Sequence, residues 1–272
     1  MNRSEKSIST LVLVVLALVA SALYFLRFLH TEASPNQVVH AEVSSHRVLD
    51  KFYGKRDDMH NCWFAVDAED NQRYCMKIDR ADKVSTPTEQ RLYVLATGIA
   101  VNDEGKPDGA HVSSGLVGAF VIEDRNGQME IVAANPKIPI GASGSAPTNW
   151  KFHQFGPADY WGWLNTTWDC HQGYCGGRYS ILAPYGKSIR DLAGFAAYYT
   201  DIGAVGDNGT IIDSKLEIDS SKIDSKVFPL LIAVTGIDKE KELQSKTWTI
   251  RFNPKKWSYM APKDWPLEGR DF

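Results

Sequence analysis

The sequence lacks the motifs that mark common catalytic and metal-binding sites. It contains no Gly-x-Ser-x-Gly elbow, the turn that carries the nucleophile in many serine hydrolases, and no lysine follows the short stretch Gly141–Ser145 as a phosphate-binding loop requires. Neither a Cys-x-x-Cys nor a His-x-x-x-His pair is present, so regularly spaced zinc ligands are missing. We therefore predict no cofactor and no metal site.

An excess of charge of one sign is also missing. The 30 basic and 33 acidic residues leave a net charge of -3, which gives no general attraction to nucleic acid or to an anionic membrane surface. Internal repeats and low-complexity segments are absent as well. We therefore predict no nucleic-acid partner and no repeat architecture.

Long apolar runs are scarce, and the exception lies near the N-terminus. The uninterrupted run Leu11–Leu26, extended by Phe28 and Leu29, reaches the ~20 residues that a helix needs to cross a bilayer. The run is apolar on every face, whereas the core helix of a globular protein is apolar along one stripe. The sequence therefore predicts a transmembrane anchor over residues 11–29, behind a short cytoplasmic head at residues 1–10.

A cleaved signal peptide is the alternative for the same segment. Ala20-Ser21-Ala22 has the small-x-small form that signal peptidases accept. Cleavage there leaves the apolar residues 23–26 at the tip of the mature chain, whereas an intact helix buries them in lipid and brings Arg27 to the headgroups. We favour an uncleaved signal-anchor.

The cysteines indicate the compartment of the remaining chain. Their number is even and all follow the anchor, which is typical of disulfides in an oxidising compartment: Cys62, Cys75, Cys170 and Cys175. We expect a single-pass protein of the bacterial inner membrane whose C-terminal part lies in the periplasm. The polar residues 30–45 predict a tether, and residues 46–272 predict the extracytoplasmic domain.

We expect each cysteine to form a disulfide with the cysteine nearest to it in the sequence. Cys170 and Cys175 enclose four residues that include Gly173, which a turn can close. Cys62 and Cys75 are harder to join, because a four-residue hairpin loop at 68–71 places Cys75 opposite Phe64. The two cysteines then lie diagonally, with Cα atoms ~7–8 Å apart, so this bond requires a bulge or a shorter turn.

Most of the region after the tether has the pattern of β-strands. Alternating or β-branched runs flanked by turn residues occur at 62–66, 73–78, 91–101, 116–122, 129–133, 179–183, 211–218, 228–237 and 247–252. One amphipathic helix is predicted near 189–200, since Ser188 and Asp191 resemble a capping box and Gly203 follows. The predicted fold is mainly β, a β-rich α+β domain with antiparallel sheets.

Aromatic residues are densest between Trp150 and Tyr185, interleaved with glycines and without a regular period in the first half. Exposed rings there would form a stacking surface for a sugar or a protein partner. The interpretation we prefer is that the rings pack a long loop onto the β core, as buried aromatic residues commonly do. The candidate partner-binding residues are Tyr160, Trp161, Trp163, Trp168 and Tyr174.

Two functional hypotheses follow from these patterns. The first is a membrane-anchored cell-envelope protein whose periplasmic β-rich domain binds or scaffolds a protein or glycan partner. The second is an anchored envelope hydrolase that acts on wall or glycan material around Asp159, Asp169 and His171. Because no paired spacing of carboxylates supports acid-base catalysis, we assign no catalytic residue and rank the enzyme second.

Overall fold

The computed structural model describes residues 35–67, 71–86, 89–110, 112–125 and 128–270. Its fold is mainly antiparallel β, with a half-barrel and few helices. Chain contacts divide the protein into the units Met1–Glu42 and Val43–Phe272. The predicted head and transmembrane anchor lie outside the described residues. Among the helices that are described, none combines the length and the apolar character needed to cross a bilayer.

The elements follow one another almost entirely as strands. In chain order they are α1 Pro35–Tyr53, β1 Trp63–Val66, β2 Arg73–Ser85, β3 Gln90–Val101, β4 Leu116–Arg125, β5 Gln128–Pro139, β6 Lys151–Gly156, β7 Tyr160–His171, β8 Tyr174–Tyr185, β9 Ser188–Asp191, β10 Ala196–Thr200, α2 Ile202–Val205, β11 Ile211–Ile218, β12 Leu230–Asp238, β13 Lys241–Glu242, β14 Lys246–Ile250, β15 Phe252–Asn253 and β16 Ser258–Tyr259. The β-rich prediction is therefore confirmed.

Strands β1 to β5 form a five-stranded antiparallel meander, and the last turns of α1 pack on one of its faces. Val48 and Leu49 are fully buried, and the ring of Phe52 lies 5.0 Å from that of Phe120 on β4. The indole Nε1 of Trp63 donates a hydrogen bond to Asp50 at 2.7 Å. Helix α1 begins at Pro35, which the first turn of a helix accommodates because no N–H is needed from that residue.

The other strands, except the short β15–β16 pair, form a nine-stranded sheet in the order β13-β12-β11-β10-β8-β7-β6. Strand β14 adds to β12, and β9 adds to β8. Adjacent side chains of β8 point to opposite faces of this sheet and belong to two separate hydrophobic cores. Leu182 contacts the core shared with the five-stranded sheet, whereas Ile181 and Ala183 join the core closed by the C-terminal residues Trp265 and Leu267. This sheet therefore lies in the middle of the domain.

The prediction of a helix over residues 189–200 is wrong. This segment runs along one edge of β8 as two short strands, β9 and β10, joined by a bend at 192–195. The Asp191 carboxylate, expected to cap a helix, accepts hydrogen bonds from the backbone N–H groups of Ile181 and Ala193 at 2.9 and 3.0 Å. Gly194, with a φ of 76°, completes the bend. Pairing with β8 therefore outweighs the local capping signal.

The first hairpin has the predicted register. Cys75 lies opposite Phe64, and the N–H of Asp67 donates to the carbonyl of Gln72 at 2.9 Å. Cys62 nevertheless bonds to Cys75, with Cα atoms 5.5 Å apart, because Cys62 precedes β1 and belongs to a turn that pairs it with Asp57. The diagonal distance of a regular ladder does not apply there. The Cys170–Cys175 disulfide is also present, so both predicted bonds are confirmed.

Candidate functional site

The aromatic segment between Trp150 and Tyr185 is not a long loop. It folds as the three antiparallel strands β6, β7 and β8. Its rings divide into a buried set and an exposed set according to their place on these strands. The prediction that the rings pack onto the β core is therefore correct for the first half of the segment. The prediction that this half is an irregular loop is wrong, because it forms regular strands.

Three of the five candidate partner-binding residues pack inward from the start of β7. Trp163 is 0% exposed and its ring lies 5.8 Å from that of Tyr93, so it belongs to the core and contacts no partner directly. Trp161 stacks on Phe152 with ring centroids 5.2 Å apart. Tyr160 donates its hydroxyl to the carbonyl of Pro184 at 2.8 Å, and burial raises the pKa of Tyr160 to about 12. We remove Trp163 from the candidate surface.

Trp168 and Tyr174 differ because they lie towards the tip of the β7–β8 hairpin, beyond the last residue of β7 that pairs with β6. The pairing of β6 with β7 stops at Leu164, so the second half of β7 has β8 on one side and no strand from the described part of the chain on the other. Trp168 is 70% exposed and Tyr174 is 41% exposed. These two residues are the part of the predicted surface that remains accessible.

The tip of the β7–β8 hairpin has a closely defined backbone. Gln172 and Gly173 form its two-residue turn with φ values of 50° and 87°, and positive values at both positions are typical of the type I′ turn that suits a hairpin. Gly173 also has no room for a side chain, since an added Cβ would lie 2.4 Å from the backbone of Gly203. Cys170 and Cys175 face each other two positions before and after the turn and are joined by the disulfide.

A shallow groove runs across this hairpin, and we name it the aromatic groove. Its volume is ≈ 460 Å³ and its lining is Thr166, Trp168, Cys170, Cys175 and Tyr198. Gly177 creates the gap between the two aromatic side chains, because an added Cβ there would lie 3.4 Å from the Cβ atoms of both Trp168 and Tyr198. The disulfide and two rings thus surround a mainly apolar depression.

Sequence reasoning missed Tyr198. It lies on β10, opposite Gly177 of β8, and 30 residues of chain separate it from Trp168. The predicted helix over 189–200 hid this residue, because the pairing of β10 with β8 brings it to the groove. The glycine pair Gly176-Gly177 was the available signal, since glycine in a strand often marks a close approach or an open space.

The three residues proposed for a hydrolase do not form one site, because Asp159 lies far from Asp169 and His171. Asp159 lies in the turn before β7, whereas Asp169 and His171 lie at the far end of the same strand. Ten residues of strand separate the two carboxylates, which corresponds to about 33 Å. Within the described ranges, no three His, Cys, Asp or Glu side chains are close enough together to hold a metal ion.

Comparisons with known proteins give no further guide to this site. No protein-family model matches the chain, and no match is found among curated proteins or solved structures.

Proposed function

We propose that this chain is a membrane-anchored binding protein of the cell envelope, whose β-rich domain contacts a protein or glycan partner through the aromatic groove. The observation that carries this proposal is the exposure of Trp168. A tryptophan with 70% of its surface open to solvent is unusual in a globular domain, and tryptophans of this kind often anchor interfaces. The disulfide and the tight turn constrain the hairpin backbone that carries this ring before binding, which lowers the entropy lost on association.

Two observations support a location for this protein in the cell envelope. The apolar run at residues 11–29 has the length of a bilayer span. Two disulfides among the described residues are typical of an oxidising compartment. We therefore propose a periplasmic domain held at the bacterial inner membrane by an N-terminal signal-anchor.

Photo-crosslinking in the source cells tests the binding surface. A photoreactive phenylalanine analogue replaces Trp168 in one variant and Ile223 in the control. Ile223 is 71% exposed, which matches the exposure of Trp168, and it lies in the loop after β11 rather than on the hairpin. We expect a discrete crosslinked species from position 168 and none from position 223. The same products from both positions, or none from either, would contradict the proposal.

The hydrolase remains the second hypothesis. The three side chains first considered for it, Asp159, Asp169 and His171, do not support it. Its strongest requirement was two carboxylates close to one another in an aromatic cleft. Asp159 and Asp169 do not meet this requirement, because the length of β7 separates them.

A further inference from the structure

The side of β7 that faces away from β8 forms an unbroken strand edge over residues 166–171, and we name it the outer edge. Pairing with β6 ends at Leu164, and the described part of the chain places no other strand here. The register with β8 continues without a bulge to the turn. The segment also contains no lysine or proline, which protect many edge strands from pairing. The outer edge therefore suits the addition of a further strand.

The geometry of the hairpin shows which residues direct their main-chain groups outwards. The two-residue turn makes His171 and Tyr174 a hydrogen-bonded pair, and such pairs alternate along an antiparallel ladder with pairs that exchange no hydrogen bonds. Cys170 and Cys175 are a pair of the second kind, in agreement with the short distance of 4.0 Å between their Cα atoms. The residues whose N–H and C=O groups consequently point away from β8 are Thr166, Trp168 and Cys170.

Side-chain hydrogen bonds agree with this direction. The N–H of Thr166 donates to the side-chain oxygen of Asn165 at 2.7 Å, and the N–H of Cys170 donates to the carboxylate of Asp169 at 2.8 Å. Both donors are thus turned away from β8 and are held by a neighbouring side chain, which the carbonyl of an incoming strand can replace. For the N–H of Trp168, which lies between them, the described residues provide no backbone partner.

The three residues that point their main-chain groups outwards also line the aromatic groove. Their side chains, at alternate positions of β7, lie on the face that carries Tyr198. Directly opposite residues of an antiparallel pair place their side chains on the same face. A strand hydrogen-bonded to Trp168 would therefore direct every second side chain over the groove. Apolar side chains suit it, because its lining consists of two aromatic rings, a disulfide and Thr166.

The opposite face of the hairpin has a different character. A cleft of ≈ 300 Å³ adjoins the outer edge there, and its charged lining residues are Asp169, Arg178 and Asp191. Two negative charges against one positive charge favour basic side chains beside Asp169 and disfavour acidic ones. The sequence pattern that complements both faces is an alternation of apolar and basic residues.

From these relationships we propose that the outer edge binds an extended segment of a partner protein, which adds to the nine-stranded sheet as an antiparallel strand. Its apolar side chains lie over the aromatic groove, and its basic side chains lie beside Asp169. Main-chain hydrogen bonds hold the segment, and the two faces select its alternate side chains. This inference rests on the proposed function and specifies the partner as a polypeptide in extended conformation.

Binding of a synthetic peptide to the full chain in non-ionic detergent tests the proposal. The probe is fluorescein-labelled Lys-Val-Lys-Val-Lys-Val-Lys with blocked ends, and fluorescence anisotropy measures its dissociation constant. In the proposed strand the valine N–H groups face β7, whereas the lysine N–H groups face away. N-methylation of the valines should therefore weaken binding by about tenfold or more, because each lost hydrogen bond of ordinary strength costs up to about tenfold. N-methylation of the lysines is the matched control and should leave binding unchanged.

Two variants of Thr166 test the protein side of the same contact. Thr166→Pro removes an N–H that points away from β8, a position where a strand tolerates proline. Thr166→Val keeps this N–H and loses only the hydroxyl. We expect Thr166→Pro to weaken peptide binding by about tenfold and Thr166→Val to bind as the original chain does. Circular dichroism checks that both variants fold. If Thr166→Pro does not fold, the two N-methylated peptides decide the question, because they leave the protein unchanged.

Several results would overturn strand addition by a partner. These are no binding of the probe, equal binding of a peptide with glutamates in place of the lysines, equal binding of the N-methyl-valine peptide, and equal binding by folded Thr166→Pro. A dimer in sedimentation that Thr166→Pro abolishes would assign the edge to a second copy of this chain instead. Crosslinking from position 168 is scored separately. A crosslinked partner without peptide binding would leave the proposed function in place and remove only the strand addition.

Discussion

Cys170 and Cys175 lie directly opposite each other on β7 and β8, with Cα atoms 4.0 Å apart, and their disulfide closes the hairpin that carries Trp168. Cys62 and Cys75 form a bond of a different kind, buried in a small cluster with Val101 and Phe64. The first bond shapes an exposed site, and the second joins the turn before β1 to the five-stranded sheet. The two bonds should therefore differ in what their removal affects.

Replacing each pair of cysteines by alanine separates these contributions. The bonds span 13 residues for Cys62–Cys75 and 5 residues for Cys170–Cys175, for which loop entropy corresponds to ~3 and ~2 kcal/mol of unfolding free energy. We expect urea unfolding to give losses of this order, with the buried pair costing more. Crosslinking from position 168 should decrease when Cys170–Cys175 is removed. Equal crosslinking in both double variants would show that the disulfide does not shape the groove.

Trp163 and Trp168 provide a second comparison, on one strand. Trp163→Ala removes a fully buried ring and should lower the free energy of unfolding by ~3–5 kcal/mol. Trp168→Ala removes an exposed ring and should change it by less than ~0.5 kcal/mol. Chemical denaturation followed by circular dichroism measures both. A large loss from Trp168→Ala would assign that ring a packing role in place of partner binding.

The β character of the domain could be predicted because it depends on patterns within short segments. The run 211–218, for example, alternates between exposed residues and Ile212 or Leu216, and it forms β11 within the predicted bounds. The Cys75–Phe64 register could also be predicted, since the length of one loop determines it. These features need no information about distant parts of the chain.

The candidate site depends on contacts that a local pattern does not contain. Trp163 and Trp168 look alike in the sequence, but the unbroken register of β7 places them on opposite faces, and Trp163 faces the core shared with the five-stranded sheet. Trp168 also lies beyond Leu164, where the pairing with β6 ends. Asp191 carries a good helix-capping signal, yet backbone groups ten residues earlier and two residues later bind its side chain instead. Tyr198 reaches the groove only through the pairing of β10 with β8. Each of these outcomes is decided by tertiary structure.

The attachment of α1 to the five-stranded sheet gives a third prediction. Leu49 is fully buried, and Asp50 beside it accepts the hydrogen bond from Trp63. Leu49→Ala should lower the free energy of unfolding by ~2–5 kcal/mol, the usual cost of removing a buried leucine side chain. The exposed neighbour Lys51 is the control, and Lys51→Ala should change stability by less than ~0.5 kcal/mol. Similar losses from both variants would contradict a specific packing role for Leu49.

Membrane topology gives a fourth prediction. A reporter that is active only outside the cytoplasm, fused after Phe272, should be active, and the protein should stay in the membrane fraction after a high-salt wash. These results are expected because residues 11–29 have the length of a bilayer span and two disulfides are typical of an oxidising compartment. A soluble mature chain that starts at Leu23 would show cleavage after Ala22, and an inactive reporter would reverse the orientation.

The dependence of stability on pH gives a fifth prediction, centred on Asp191. Burial raises the pKa of this carboxyl above its ordinary value of 3.8, against the opposing effects of the N–H groups of Ile181 and Ala193 and the charge of Arg178. The folded state therefore binds this proton more tightly than the unfolded state. Ionisation of Asp191 therefore lowers the free energy of unfolding above pH 3.8. This loss of stability grows until the pH passes the raised pKa of Asp191, and it then stays constant.

Asp191→Asn tests this linkage, because the amide keeps the oxygen that accepts the two backbone hydrogen bonds but does not titrate. The difference in unfolding free energy between the original chain and this variant should shift in favour of the variant as pH rises from below 3.8 to neutrality. Asp191→Ala is the control. It leaves two N–H groups unpaired, at a cost of ~1–3 kcal/mol each, and should be destabilised at neutral pH. Urea unfolding of all three chains across this range provides the measurement, and a difference between the original chain and Asp191→Asn that stays constant with pH would contradict the raised pKa.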